Sequence, residues 1–199
     1  SSFDNATSPT ANRLLMEVTF GNNTFVAVGQ LGIIVRSTDN GSSWDNLTSP
    51  TGVPYLVGVT FGNDTFVGVG TTNIVRSTDN GSSWDNVTSP TATYLQRVTF
   101  GNNTFVAVGL SGTIVRSTDN GTTWDNATSP TSIQFNQVTF GNNTFVAVGS
   151  SGNIVRSTDN GSSFDNATSP TANNVEGVTF GNNTFVATGS SGNIWRSTD

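Results

Sequence analysis

The side chains able to do chemistry are few and regularly placed. The 199 residues include 13 carboxylates, seven arginines in place of any other cation, two tyrosines, and neither histidine nor cysteine. The usual general base and the thiol nucleophile are therefore missing, as are thiolate metal sites and disulfides. What remains is Asp and Arg at fixed spacing. Asp39, Asp79, Asp119, Asp159 and Asp199 each close a Ser-Thr-Asp triplet, and Arg36, Arg76, Arg116, Arg156 and Arg196 each stand three residues earlier. An Asp-Asn-Gly-Ser run could ligate Ca²⁺, but such a loop needs further carboxylates at alternate positions, and they are absent. An Asp that accepts hydrogen bonds from the N–H groups following it, with Gly supplying a positive φ, makes a turn instead. The arginines could grip a carboxylate. Counting back across the turn, however, sets Arg36 opposite Asp45, so a cross-strand ion pair in every copy, with Asp4 serving Arg196, accounts for all five. No catalytic residue, metal or cofactor is expected, and the five Asp are assigned to structural turns.

These residues sit on a repeat. "VTFGNNTFVAVG" at 18–29 returns at 59–70, 98–109, 138–149 and 178–189, and Phe20, Phe61, Phe100, Phe140 and Phe180 are 41, 39, 40 and 40 residues apart. A period near 40 with several short strands per unit is the mark of a propeller blade. Each unit reads as four strands: Val18-Thr19-Phe20, then Thr24 to Val28, then Ile33 to Thr38, and a last one from Trp44 to the Thr-Ser-Pro-Thr that ends it. Proline there removes a ladder donor, and no 3.6-residue pattern supports a helix. The expected fold is all-β, a single domain of five four-stranded antiparallel blades at about residues 17–47, 57–87, 97–127, 137–167 and 177–199 plus 1–7. In this reading Ser1 to Asn5, which match Ser42 to Asn46, supply the last blade's fourth strand, so the termini are neighbours and no sheet edge stays open.

The pattern S-x-D-x-G-x-x-W/F at 37–44, 77–84, 117–124 and 157–164, within the longer run "TFVAVGSSGNIVRSTDNGSSF", resembles the Asp box, or bacterial neuraminidase repeat. That repeat occurs in sialidase-like propellers and in the photosystem-assembly-factor group, whose units the longer run resembles along its whole length. The resemblance implies a β-propeller in which the Asp box is a structural turn on the face opposite any active site. It does not carry over the sialidase reaction. A Tyr nucleophile with a nearby Glu would have to come from Tyr55 or Tyr94 and Glu17 or Glu176, which fall at non-equivalent points of different units.

Differences among the copies point to a ligand-binding face. After each Thr-Ser-Pro-Thr comes an unlike segment (11–17, 52–58, 92–97, 132–137, 172–177), and the loop between strands two and three also varies, whereas the other two turns hardly change. Successive turns of an up-and-down blade alternate between its ends, so the variable connections share one rim. Arg13, Leu14, Met16, Tyr55, Leu56, Tyr94, Leu95, Phe135 and Val175 are the candidates there, an aromatic and aliphatic set with few charges. Leu15, Val57 and Leu95 have an alternative use, packing between blades or plugging the channel.

A net charge of −6 provides no basic patch for nucleic acid or for an anionic membrane, and no stretch has the length of a membrane span. Near-identical copies and the lack of Lys favour a non-enzymatic scaffold, engineered or recently duplicated; a monomer is expected, with a strand-swapped assembly as the alternative. The divergent rim favours a glycan-binding, lectin-like module or a protein-binding one. A natural chain of this kind would be secreted or extracytoplasmic, though the residues name no compartment.

Overall fold

Each repeat becomes one small antiparallel sheet, and the five sheets make a five-bladed β-propeller. The computed structural model describes residues 5–10, 13–47, 49–50 and 52–197. In the first blade β1 (Leu15–Gly21), β2 (Thr24–Gly29), β3 (Ile34–Ser37) and β4 (Asp45–Leu47) lie in chain order. The next three blades repeat it, with inner strands β5 (Leu56–Gly62), β9 (Leu95–Gly101) and β13 (Phe135–Gly141). The fifth has three strands among the described residues, β17 (Val175–Gly181), β18 (Thr184–Gly189) and β19 (Asn193–Arg196).

Local chemistry sets each hairpin. Asn22 and Asn23 take φ of 47° and 55°, a left-handed pair that Asn tolerates and that suits a two-residue hairpin turn. It brings Phe20 opposite Phe25, ring centroids 4.6 Å apart. The second strand of each of the middle three blades is buried on both faces, as its run of Val, Phe and small residues requires.

Blades stack face to face through one repeated junction. Val26, Val28 and Ile34 of the first blade pack on Leu56, Val59, Phe66, Val75 and Trp84 of the second, and the same set recurs at the next junctions. From the second blade on, the Phe of each inner strand lies over a glycine of the preceding blade, so that a methyl group at Gly21 would overlap the Phe61 ring; Gly62 meets Phe100, Gly101 meets Phe140, and Gly141 meets Phe180 in the same way. Side chains on the constant face complete the joint. Asn80 Nδ2 donates to Thr24 Oγ1 at 2.7 Å, and Arg36 Nε donates to the Asn80 carbonyl at 2.8 Å.

The inner strands start two residues earlier than the blade limits expected from sequence, one residue in the second blade, because a bulge between Leu15 and Glu17 lets Leu15 pair with Gly29, and the same bulge recurs in every blade. Of the segment 1–7 expected as the last blade's fourth strand, residues 5–7 are described and form no strand, Ala6 instead lining a cavity with Leu15 and Trp44 of the first blade; residues 1–4, 198 and 199, and with them the meeting of the termini, Asp4 and Asp199, lie outside the described residues. Among the described residues the junction is not repeated between the fifth and first blades: nothing lies within 4 Å of a Cβ placed on Gly181, and Phe20 is 52% exposed.

Candidate binding site on the variable rim

In four of the blades the two variable connections are tied together at one end of the sheet. The backbone N–H of Gln30 donates to the Leu14 carbonyl at 3.0 Å, and Leu110, Ser150 and Ser190 donate to Tyr94, Gln134 and Asn174 in the same position. The constant turns gather at the other end, where Asn63 Nδ2 donates to Asn120 Oδ1 of the next blade at 3.3 Å.

Along this rim the candidate residues separate by strand parity. Arg13, Leu14, Met16 and Tyr55 are exposed, and Tyr94 is half-buried. Leu56, Leu95, Phe135 and Val175 are each fully buried and belong to the cores between blades. The pairing of Leu56 with Gly70 makes them strand residues rather than loop residues, so a ligand on the rim meets their neighbours and not them.

A polar network below Tyr94 joins three inner strands. The Glu17 carboxylate accepts the Val59 N–H at 2.6 Å and lies 3.7 Å from Arg97 Nε. Arg97 also donates to the carbonyls of Val57 at 3.1 Å and Gln96 at 2.8 Å. Burial pushes the Glu17 carboxyl above its usual range, opposed by the Val59 N–H and by the Arg97 charge. Burial likewise pushes the Tyr94 phenol up, Arg97 pulls it back, and Tyr55 adds to the rise, which puts the two tyrosines and Arg97 in one electrostatic neighbourhood. On the next blades Asn136 Nδ2 donates to the Val175 carbonyl at 3.0 Å and to Glu176 Oε2 at 3.1 Å. Arg97 and Asn136 were not among the rim candidates. Their signal in the sequence is a polar residue at the bulge (Asn136) or just after it (Arg97), in a segment that otherwise supplies apolar packing.

The constant end is built as a turn. Asp39 accepts Ser43 Oγ at 2.6 Å, the Ser43 N–H at 2.9 Å and Ser37 Oγ at 2.8 Å. The Ser43 hydroxyl, its N–H and the Ser37 hydroxyl hold the Asp39 carboxyl at about 2, against an ordinary 3.8. In Asp79 and Asp159 desolvation works against equivalent bonds, which still bring the carboxyl to about 2, and Asp119 is lowered for the same reasons. Asn40 and Gly41 take φ of 60° and 84°, and Trp44 Nε1 donates back to the Gly41 carbonyl at 3.0 Å. Arg36 does stand opposite Asp45 in the ladder, as the sequence indicates. Its hydrogen bond goes forward to the next blade instead, and Arg76 and Arg116 do likewise onto the Asn120 and Asn160 carbonyls. A neighbouring carbonyl sits closer to the guanidinium than an outer-strand carboxylate free to face water. Among the described residues no three carboxylates converge as metal ligands.

A β-propeller with one constant and one variable end is the class of protein that this geometry defines. Solved structures agree on the fold. The chain is similar to YCF48 bound to D1 peptide, at 18% identity and a TM-score of 0.75 over 96% of this chain and 67% of that one. It is similar to the computationally designed Ika8 protein, at 14% identity and 0.73 over 92% and 57%, and to an ancestral GH74 enzyme, at 17% identity and 0.76 over 96% and 32%. The chain thus spans about two thirds of the first of these proteins and less of the others. No family model matches the sequence, and no curated protein is similar to it.

Proposed function

We propose that the chain is a non-catalytic repeat scaffold, engineered or recently duplicated, whose variable rim binds an extended peptide segment. The observation that carries this reading is the grouping of Tyr55 and Tyr94 with Arg97 on the variable rim, where Arg13 and Leu14 of the first blade are also exposed, while the opposite end is uniform. Aromatic and Arg side chains held on rigid strands make effective peptide anchors at low entropic cost. That a similar propeller has been seen with a peptide, and another was designed, supports both halves of the proposal. The turn geometry at Asp39 and its copies also supports the likeness to Asp-box repeats. Glu17 is engaged by Val59 and Arg97 rather than poised as an acid, and a chain without His or Cys offers few substitutes.

The test is a screen of immobilised peptides followed by fluorescence polarisation on any hit. Replacing Tyr55 and Tyr94 together by Ala should weaken binding about tenfold or more, with the far-UV spectrum unchanged. A screen silent for peptides, with saturable binding on a glycan array, would replace this reading with the lectin one.

A further inference from the structure

The second blade breaks the pattern of the variable rim. On the other four blades the connection between the second and third strands has four residues (30–33, 110–113, 150–153, 190–193), and here it has three, Thr71-Thr72-Asn73. The longer connections turn through two successive left-handed residues, such as Leu31 and Gly32 at φ of 57° and 68° or Ser111 and Gly112 at 54° and 69°. Gly32, Gly112 and Gly152 thereby lie against the carbonyls of Val53, Thr131 and Thr171, on the segments that lead to the next blade. The connection 71–73 has no glycine to make that contact. The N–H···O bond by which residues 30, 110, 150 and 190 hold their own inner strand is not made by Thr71.

The short connection is strained and short of bonds. Thr72 takes φ of 129°, which a β-branched side chain adopts only under strain, while its N–H donates back to the Gly70 carbonyl at 2.9 Å. Thr71 Oγ1 and Asn73 Oδ1 are both buried and have no hydrogen-bond partner. Buried polar groups are normally paired. Among the described residues the other unpaired buried atoms, on Asn80, Gln137 and Asn153, fall singly, and only here do two share one turn. Such a turn gains bonds and sheds strain by opening, and its position gives the opening a use. It starts at Gly70, which pairs with Leu56 and lies so close to the Tyr55 carbonyl that a methyl group on Gly70 would overlap it. Tyr55 is exposed there and shares its surroundings with Tyr94 and Arg97. A hydroxyl able to donate and an amide oxygen that accepts together complement one peptide unit, which offers a C=O and an N–H. An apolar ligand would leave both atoms unpaired.

We infer that the connection 71–73 is a gate that swings outward and takes one main-chain amide of an extended peptide, the Thr71 hydroxyl donating to the peptide carbonyl and Asn73 Oδ1 accepting the peptide N–H. Its role rests on the rim being a peptide site, and it fixes where on that rim the peptide main chain is read. Tyr55 and Tyr94 meet side chains of the ligand, and the second blade supplies the main-chain contacts. Because both polar atoms are covered in the free protein, the gate must open before it binds, and the strain at Thr72 is released as it does so.

Two measurements test this. In the free protein Thr71→Val keeps the shape of the side chain and removes a hydroxyl without a partner, so the urea midpoint should stay level or rise. A lowered midpoint would mean that the turn itself or an ordered water already engages the hydroxyl, and would overturn the gate. The second is a titration with N-acetylglycine N-methylamide, a main-chain fragment without a side chain, followed through the backbone N–H resonances. Saturable shifts are expected at Thr71, Thr72 and Asn73, and Thr71→Val or Asn73→Leu should weaken the fragment about fivefold. No shift at these residues, or binding untouched by both substitutions, overturns the gate. Shifts at 71–73 with no peptide bound in the screen would keep the amide seat and remove the rim's role as a peptide site. Peptides bound through Tyr55 and Tyr94, with 71–73 unmoved by the fragment, would keep the rim and remove the gate.

Discussion

One carboxylate organises each constant turn. Asp79 accepts the Ser83 hydroxyl at 2.6 Å, the Ser83 N–H at 2.9 Å and the Ser77 hydroxyl at 2.8 Å, and Ser77 is itself buried. Asp79→Ala removes all three bonds and leaves Ser77 short of an acceptor, so it should cost about 1–2 kcal/mol, read as a lowered urea midpoint with unchanged slope. Glu17 behaves oppositely. Its folded pKa lies above the ordinary 4.5 because burial outweighs the Val59 N–H and Arg97. The stability linked to its titration is complete below pH 4.5 and is lost as pH rises through the folded value. Glu17→Gln should therefore flatten the dependence of stability on pH above 4.5, which urea titrations at several pH values will show. The Asp turns were legible from residue order alone, because every partner of Asp79 lies within four positions of it. The forward reach of Arg36 was not, since its acceptor is 44 residues away.

At the scale of elements, the inter-blade joint rests on a ring over a bare backbone. Gly62→Ala puts a methyl into the Phe100 ring and should destabilise by about 1–3 kcal/mol. The same change at Gly181, which faces open space, should be neutral in dilute protein; paired denaturation curves make the comparison. Trp124 is 6% exposed and its ring lies 6.3 Å from that of Phe105, so Trp124→Ala should cost about 3–5 kcal/mol. The strands themselves were readable from alternation and turn residues. The fate of Leu56, Leu95, Phe135 and Val175 was not, because one bulge residue shifts strand parity. Parity decides whether the side chain before or after it faces the core, and short variable segments carry no periodicity from which to read it.

Across the whole molecule the Asp turns add into an acid response. Asp39, Asp79 and Asp159 titrate at about 2 in the fold against an ordinary 3.8, and Asp119 is lowered too. Their contribution is present above about pH 4 and is lost as pH falls from there toward 2, so thermal midpoints should drop through that window. The repeat period, the five blades, the alternation of constant and variable ends and the chemistry of each turn were determined by the sequence alone, because all are local or follow from copying one unit. Only the tertiary structure decided which rim side chains face outward and which acceptors Arg36, Arg76 and Arg116 take. Those depend on contacts between units some 40 residues apart, where the angle of a packed joint, and not the order of residues within a blade, sets the outcome.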